Sequence, residues 1–476
     1  MRDHISVANL ASVNTQRRWW IPSPFWIAAF IVFAVSWEIV GVDVRSLISA
    51  QAASDTWRFL SGLFPPDLSP AFLKTVFSAA AQTLAAAVAA TLLSIVIGMP
   101  LGVLASAHLW RRGILVEAER YSVRGVTLAG ISQAARAILG FVRAVPDILW
   151  AILFVTMFGL GTLPGTLALA LAYSGLIGQV FSNVFDAAAI QPLEALQSTG
   201  ATRLQIFFRG MLPQSLPALT AYGLYSFECC VRAASVLGLV GAGGIGYEVS
   251  ISMRLFEYSQ VLTLLLAFIT LMAITDAISH FVRGRMTRRL PAAAEIVAAP
   301  RASRAVMPVV ILVVAVVSFY LAGFNREMLE QQNLIQHAFR FISGMVPPDF
   351  APAFLGRLGY LALQTIAISV IGTSIGVALG ALLTLPATAA IAFIHKDATG
   401  RHGAGERSLR FAAYWTARLV LNFLRAIPEL VWVLVCILII GIGPFAGALA
   451  IGLHTAGVLG KLYAEVLEEV PRAPIE

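Results

Sequence analysis

Runs of about twenty apolar residues recur along this sequence, and they limit the folds open to it more than any other feature. Two of them extend from Phe25 to Val42 and from Val261 to Val282. The chain of 476 residues is 58% hydrophobic and 12% charged, whereas a soluble domain carries about 25% charged residues. Because each crossing of a bilayer takes a helix of about 20 residues, the sequence predicts an all-α polytopic membrane protein.

The sequence repeats itself at a constant offset of 282 residues. The segment RAVPD at 143–147 returns as RAIPE at 425–429, and the Gln-Thr pair at 82–83 returns at 364–365. A single offset without gaps indicates a tandem duplication. An even number of spans in the first copy would make the two copies parallel repeats.

Basic residues cluster in short loops between the apolar runs, as expected for cytoplasmic loops of a membrane protein. All clusters fall on one side if the first copy has six spans. We predict those spans near residues 25–42, 73–106, 134–158, 164–186, 216–240 and 259–282. Four more are predicted near 307–324, 353–387, 412–440 and 444–467. The predicted organisation is a cytoplasmic N-terminus (1–24), a first domain (25–282), a cytoplasmic linker (283–306) and a second domain (307–476).

One polar stretch, PLEALQSTGATRLQIFFRGMLP from Pro192 to Pro213, lies between the fourth and fifth predicted spans. Glu194 stands near its N-terminal end, where a negative charge suits the helix dipole. Gly200 interrupts it and predicts two short helices. From amphipathicity alone the stretch is as compatible with a helix lying on lipid headgroups as with a surface that binds a protein.

The same stretch resembles the cytoplasmic loop of binding-protein-dependent ABC importer permeases. In that family the motif is Glu-Ala-Ala, three residues, Gly, nine residues, then Ile-x-Leu-Pro; this sequence has leucine at 196 where alanine is usual and glycine at 210 where isoleucine is usual. The resemblance implies that the loop is a coupling helix docking on a separate ABC-type ATPase subunit. Its implied coupling residues are Glu194, Ala195, Gly200, Arg203, Leu212 and Pro213.

Longer stretches resemble one branch of that family, the phosphonate importer permeases. They include STGATRLQ and VRAASVLGLVGAGGIGYEV in the first copy and GALAIGLHTAGVLGKLYAEVLEEV in the second. The resemblance implies a multi-pass permease of the bacterial inner membrane that carries a phosphonate or a related phosphorus oxyanion. It also implies a periplasmic substrate-binding protein as a partner.

The repeat offset maps Pro474-Ile475-Glu476 onto Pro192-Leu193-Glu194. The second copy therefore stops at the first residue of its own coupling motif. We expect from this that the chain is truncated and that a counterpart of residues 195–282 belongs to the second copy.

Charged residues inside apolar segments are costly and often mark a transport path. Three pairs share a spacing of four residues, which places both members on one helix face: Arg143 with Asp147, Glu228 with Arg232, and Arg425 with Glu429. Two interpretations remain open. The arginines can attract an anionic substrate along the path, or each pair can be an ion pair that joins helices.

A glycine-rich segment, with Gly241, Gly243, Gly244 and Gly246, matches G-x-G-x-x-G but has no surrounding βαβ pattern. Dinucleotide binding is therefore not expected. Glycines here favour either close helix packing or an unwound backbone that faces a cavity.

No catalytic, cofactor or metal motif is recognisable in the sequence. It lacks H-E-x-x-H, C-x-x-C and a Walker A motif, so any ATP hydrolysis is expected from another subunit. The net charge of +8 is explained by the cytoplasmic loops, and no nucleic-acid partner is expected. The alternative function is an ion-coupled secondary transporter of a small anion, a class that also uses parallel repeats.

Overall fold

The computed structural model of the chain describes residues 24–45, 49–107, 123–287, 312–324, 334–388, 404–427 and 429–469. Within these ranges the chain is helical, as predicted. The predicted N-terminal segment, most of the predicted linker and the partial coupling motif at 474–476 lie outside the described residues.

In the first repeat, the helices break where proline or glycine ends the regular backbone. Pro146 separates α4 from α5, and glycines with positive φ stand at 159, 161 and 200. The helices are α1 (Pro24–Val40), α2 (Ala50–Leu63), α3 (Pro70–Ala105), α4 (Val123–Ala144), α5 (Asp147–Phe158), α6 (Thr162–Asp186), α7 (Ile190–Ser198), α8 (Arg203–Ile206), α9 (Leu212–Leu237), α10 (Gly244–Arg254) and α11 (Tyr258–Thr287).

The helices of the second repeat follow the same plan. They are α12 (Leu312–Leu321), α13 (Leu334–Gly344), α14 (Pro352–Ala387), α15 (Ala404–Ala426), α16 (Glu429–Ile440) and α17 (Pro444–Glu469). Adding the sequence offset to the bounds of α3 and α5 gives the bounds of α14 and α16. The duplication seen in the sequence is thus accompanied by a repeated order of helices.

Seven of the described helices are long and apolar enough to cross a membrane, or eight spans if one bent pair is counted as a single crossing. The other predicted spans differ in detail. Those at 25–42 and 307–324 correspond to shorter apolar helices, α1 and α12. Those at 134–158 and 412–440 are not single helices, because the chain breaks between α4 and α5 and between α15 and α16.

The chain packs into two compact units, and each includes a piece of both repeats. One unit joins the described residues of 1–49 to most of the second repeat; the other joins the described residues of 50–349 to those of 423–434. In the first of these units, Val40 at the end of α1 shares a core with Ile371 of α14 and Phe445 of α17. In the other unit, Gly323, just beyond α12, lies against Leu163 of α6. The first helix of each repeat is therefore grouped with helices of the other repeat.

Small residues let α3 and α6 approach closely, as is usual between membrane helices. A Cβ added at Gly98 would lie 2.7 Å from the carbonyl oxygen of Ser174. The second repeat has the corresponding contact, where a Cβ on Gly380 would lie 3.1 Å from the backbone nitrogen of Gly460.

Arginines cap the C-terminal ends of α3 and α14 in matching positions. The Nε of Arg136 donates to the carbonyl of Ala105 at 2.8 Å, and that of Arg418 donates to the carbonyl of Ala387 at 3.1 Å. Each cap satisfies a helix-terminal carbonyl that has no partner within its own helix.

Candidate functional site

The polar loop from Pro192 to Pro213 folds as α7, a turn at Gly200 and α8, which continues through a π-helical turn at 207–211 into α9. Gly200 has a φ of +82°, a left-handed conformation that glycine adopts without a steric cost. The two short helices that the sequence predicted are present.

The loop is fixed by an apolar underside. Leu193 of α7, Ile206 at the end of α8 and Met211 of the π-helical turn are each 1% exposed or less. They form one core cluster with Phe181 and Phe185 of α6. Burial of such side chains contributes about 1.5–3 kcal/mol each, so this underside holds the loop against the helix before it.

The opposite side of the loop is polar and exposed. Glu194, Ala195, Gln197 and Ser198 are all exposed on α7. At the start of α8, the backbone N–H of Thr202 donates to Oε1 of Gln205 at 2.9 Å, and the N–H of Gln205 donates to the Thr202 hydroxyl at 3.4 Å. This reciprocal capping box stabilises the helix start. The loop thus presents a polar face built on regular helical structure.

The remaining coupling residues lie at the two ends of this second helical segment. Arg203 begins α8, and its side chain lies outside the described residues. Leu212 and Pro213 begin α9, and proline is well tolerated in the first turn of a helix.

The two positions that depart from the family motif are in contact. A Cβ added at Gly210 would lie 2.8 Å from Cδ1 of Leu196 and 2.7 Å from Cδ2 of Leu193. The space that a side chain at 210 would need is therefore occupied by leucine methyl groups.

The glycine-rich segment combines tight packing with an unwound backbone. Gly241, Gly243 and Gly244 have φ values of +96°, +73° and +72°. A Cβ on Gly246 would lie 1.7 Å from the carbonyl oxygen of Ser235, so no larger residue fits there. The backbone N–H of Ile245 donates to the Thr83 hydroxyl at 2.9 Å, which ties this segment to α3.

A cavity of about 410 Å³ lies beside the unwound backbone. Its lining mixes glycine backbone with polar side chains, namely Gln82, Leu160, Gly161, Thr162, Gly241, Gly243, Tyr247 and Glu248. Both interpretations of the glycines, close packing and a cavity-facing backbone, therefore have a counterpart in the structure.

Two of the charge pairs expected from spacing do not form as ion pairs among the described residues. Arg143 instead donates to Oε1 of Gln179 at 2.6 Å. Oδ1 of Asp147 accepts the backbone N–H of Ile148 at 2.9 Å. The break at Pro146 explains the difference, because Arg143 ends one helix and Asp147 begins another, so the geometry of a single helix face does not apply.

Glu228 is buried in α9 and pairs with Arg283 of α11 rather than with Arg232. Arg283 is separated from Glu228 by 55 residues, and no local spacing rule could have found it. Arg425 and Glu429 stand on either side of the break between α15 and α16, at positions equivalent to Arg143 and Asp147.

The fold and the site together define a multi-pass membrane permease. Its helices include seven candidate membrane spans among the described residues, and the polar loop at 192–213 joins two of them. The profile of the family described as "Binding-protein-dependent transport system inner membrane component" matches residues 125–288. The chain is 32% identical over 422 residues to the phosphate-import permease protein PhnE of Mycolicibacterium smegmatis, covering 88% of this chain and 71% of that protein. The chain belongs to this family, as the permease component of a binding-protein-dependent ABC importer.

A further relative agrees with the family. The phosphite transport system permease protein PtxC of Stutzerimonas stutzeri is 31% identical over 254 residues, which cover 53% of this chain and 85% of that protein. A solved structure of the MetNI methionine ABC transporter in an inward-facing conformation matches with 21% identity and a TM-score of 0.39, covering 46% of this chain and 99% of that chain.

Proposed function

We propose that the chain is the translocation subunit of an ATP-driven importer and that its substrate is a phosphonate or a related phosphorus oxyanion. The observation that carries the first part is the loop at 192–213, whose polar face is exposed while its underside is buried. A surface held in this way transmits force to the helix it continues into. Because α8 runs through the π-helical turn into α9, a push on the loop moves a membrane helix.

In this mechanism two ABC-type ATPase subunits bind and hydrolyse ATP, and the permease converts their closure into a change of access. Glu194, Ala195 and Gly200 form the docking surface, and Arg203, Leu212 and Pro213 connect it to α9. A periplasmic binding protein delivers substrate to outer loops near residues 63–70 and 241–258. We further infer that the two repeats are two permease halves in one chain; the matching bounds of α3 with α14 and of α5 with α16 support this.

The relatives support this substrate class, since one is named for phosphate import and one for phosphite transport. A doubly charged oxyanion needs cationic or hydrogen-bonding groups along its path. Arg143, Arg232 and Arg425 are the candidate cations along this path.

The test is uptake of radiolabelled methylphosphonate or phosphite into membrane vesicles that contain the chain, the ATPase subunit and the binding protein. We expect uptake to require ATP and to persist when ionophores collapse ion gradients. Uptake that follows an ion gradient without the ATPase would replace this proposal with a secondary transporter.

A substitution separates coupling from folding. Glu194→Ala removes a charge-assisted contact worth about 1.5–3 kcal/mol, so we expect ATP-dependent uptake to fall about 10- to 100-fold with normal amounts of protein in the membrane. Gln191→Ala, at an exposed position of the same helix, is the matched control and should leave uptake unchanged.

A further inference from the structure

The segment RFLSGLFPPD at 58–67 returns as RFISGMVPPD at 340–349, with seven of its ten residues identical. The first copy forms the end of α2 and the turn before α3, and the second copy forms the end of α13 and the turn before α14. Neither copy belongs to the polar loop or to the glycine-lined cavity. A segment kept this closely in both repeats indicates a task that the two repeats share.

One face of α2 is apolar although it is exposed. Trp57 and Leu60 of α2 and Phe64 directly after it are 73%, 47% and 69% exposed. At 3.6 residues per turn these three positions lie on one side of the helix axis. Their equivalents in the second repeat are also large, apolar and exposed, namely Phe339, Ile342 and Val346. We call these two sets of three residues the apolar stripes of α2 and α13.

The protein holds α2 by the opposite face. Phe59 and Leu63 are buried, and the ring of Phe59 lies edge-on to that of Tyr258 in α11 with the centroids 5.2 Å apart. Gly62 allows this close approach, because an added Cβ there would lie 2.7 Å from Cδ2 of Tyr258. The apolar stripe of α2 is therefore not the face that packs on α11.

A polar side completes each of the two helices. Arg58 and Ser61 are exposed on α2, and the Ser61 hydroxyl donates to the carbonyl of Arg58 at 3.2 Å. Arg340 and Ser343 repeat this arrangement on α13 with a distance of 3.0 Å. A short helix with an apolar side and a basic polar side has the pattern of a helix that lies flat in a membrane interface.

The position of α2 along the chain places it at the edge of the membrane. The candidate span α3 begins at Pro70, six residues after Phe64. The far end of α3 lies beside the polar loop at 192–213, because the Ser106 hydroxyl just beyond α3 donates to Oδ1 of Asp186 at the end of α6, 2.7 Å away. The apolar stripe of α2 therefore lies at the membrane boundary opposite the polar loop, which is the outer side in the predicted topology.

The side chains favour lipid over a soluble protein as the occupant of the stripes. Tryptophan and phenylalanine beside an arginine are typical of the membrane–water interface, where arginine keeps its stem on apolar surface and its charge among the headgroups. A binding protein docks and leaves, and the stripes of both repeats would then face water. Such transient contacts are made by more polar surfaces.

We propose that α2 and α13 are interfacial helices of the outer leaflet, with their apolar stripes in the lipid and with Arg58 and Arg340 at the headgroup phosphates. The two helices anchor the outer ends of α3 and α14 at a fixed depth in the bilayer. This inference is independent of the proposed function, since neither ATP nor a transported substrate takes part in it.

The test measures thiol reactivity of the full chain in lipid nanodiscs of phosphatidylethanolamine and phosphatidylglycerol, after Cys229, Cys230 and Cys436 are replaced by alanine. Trp57→Cys places a thiol in the apolar stripe of α2, and Ser61→Cys on the polar side is its matched control. Phe339→Cys and Ser343→Cys form the same pair on α13.

We expect a charged, water-soluble maleimide to label the stripe thiols about tenfold more slowly than the control thiols. The reason is that the thiolate reacts, and apolar surroundings raise the pKa of a thiol, with about one unit giving a tenfold loss of thiolate. Bimane attached at the stripe positions should also be quenched by lipids brominated on their acyl chains, whereas bimane at the control positions should not.

Equal labelling rates for stripe and control thiols, with no quenching by brominated lipid, would overturn the proposal. Protection of the stripe thiols that appears only after a binding protein is added would overturn it as well, and would assign the stripes to that protein. Because the two repeats are labelled in separate variants, a variant that fails to fold at one stripe leaves the other stripe as an independent test.

Discussion

Leu196 and Gly210 allow a quantitative test of how the coupling loop is packed. Gly210→Ile inserts a branched side chain into space held by the methyl groups of Leu193 and Leu196. Overpacking of this kind costs about 1–3 kcal/mol. Leu196→Ala removes three carbon atoms from a half-buried position and costs about 2 kcal/mol, at the lower end for leucine truncation.

The double variant Leu196→Ala/Gly210→Ile exchanges the large and small residues across the same contact. The new side chain at 210 then fills the space that Leu196 vacates, so we expect a favourable coupling energy of about 1–3 kcal/mol between the two positions. The measurement is the thermal unfolding midpoint of the purified protein in detergent, together with ATP-dependent uptake in vesicles. The unfolding midpoint and the uptake rate of each single variant should be lower than those of the double variant.

The control for this cycle is Gly140→Ile in α4, because a Cβ at Gly140 meets no atom within 4 Å. It should change the midpoint little, which separates the clash at 210 from the general effect of replacing a helical glycine. Additive losses in the double variant would refute the reasoning, since they would mean that Leu196 and Gly210 do not share one packing space.

Two further predictions concern contacts between helices that are distant in sequence. Arg283→Ala leaves Glu228 buried and unpaired, which lowers the free energy of unfolding by about 3 kcal/mol for a pair of this kind. The neutral pair Glu228→Gln/Arg283→Gln should recover most of the loss in unfolding midpoint. A double variant as unstable as the single variant would contradict this expectation. A protease site placed within 288–311 should allow cleavage without separation of the two pieces in detergent, because α1 packs on α14. Separation of the two pieces on size-exclusion chromatography would contradict that packing.

Much of the architecture could be predicted from local sequence. The offset that aligns RAVPD with RAIPE also relates the bounds of α3 and α14, because related sequences carry their helix start and stop signals at matching positions. The turn at Gly200 was also predictable from local sequence, because glycine tolerates the positive φ that the turn requires.

The missed features depend on contacts between distant residues. Spacing alone joined Glu228 to Arg232, but the packing of α9 on α11 offers Arg283 as the partner. Spacing also joined Arg143 to Asp147, although Pro146 between them was a visible sign that one helix ends there. A proline between two residues takes precedence over their four-residue spacing, because it ends the helix that the spacing assumes.

The grouping of helices has a consequence for how the two repeats hold together. The core that contains Phe268 of α11 also contains Ile427 and Val431 from the second repeat, while the core around Ile371 of α14 contains Val40 from the first. Among the described residues, each of these two cores therefore combines side chains of both repeats. Under the proposed function, motion that starts at the loop at 192–213 therefore acts on α9, whose core contacts include side chains of both repeats.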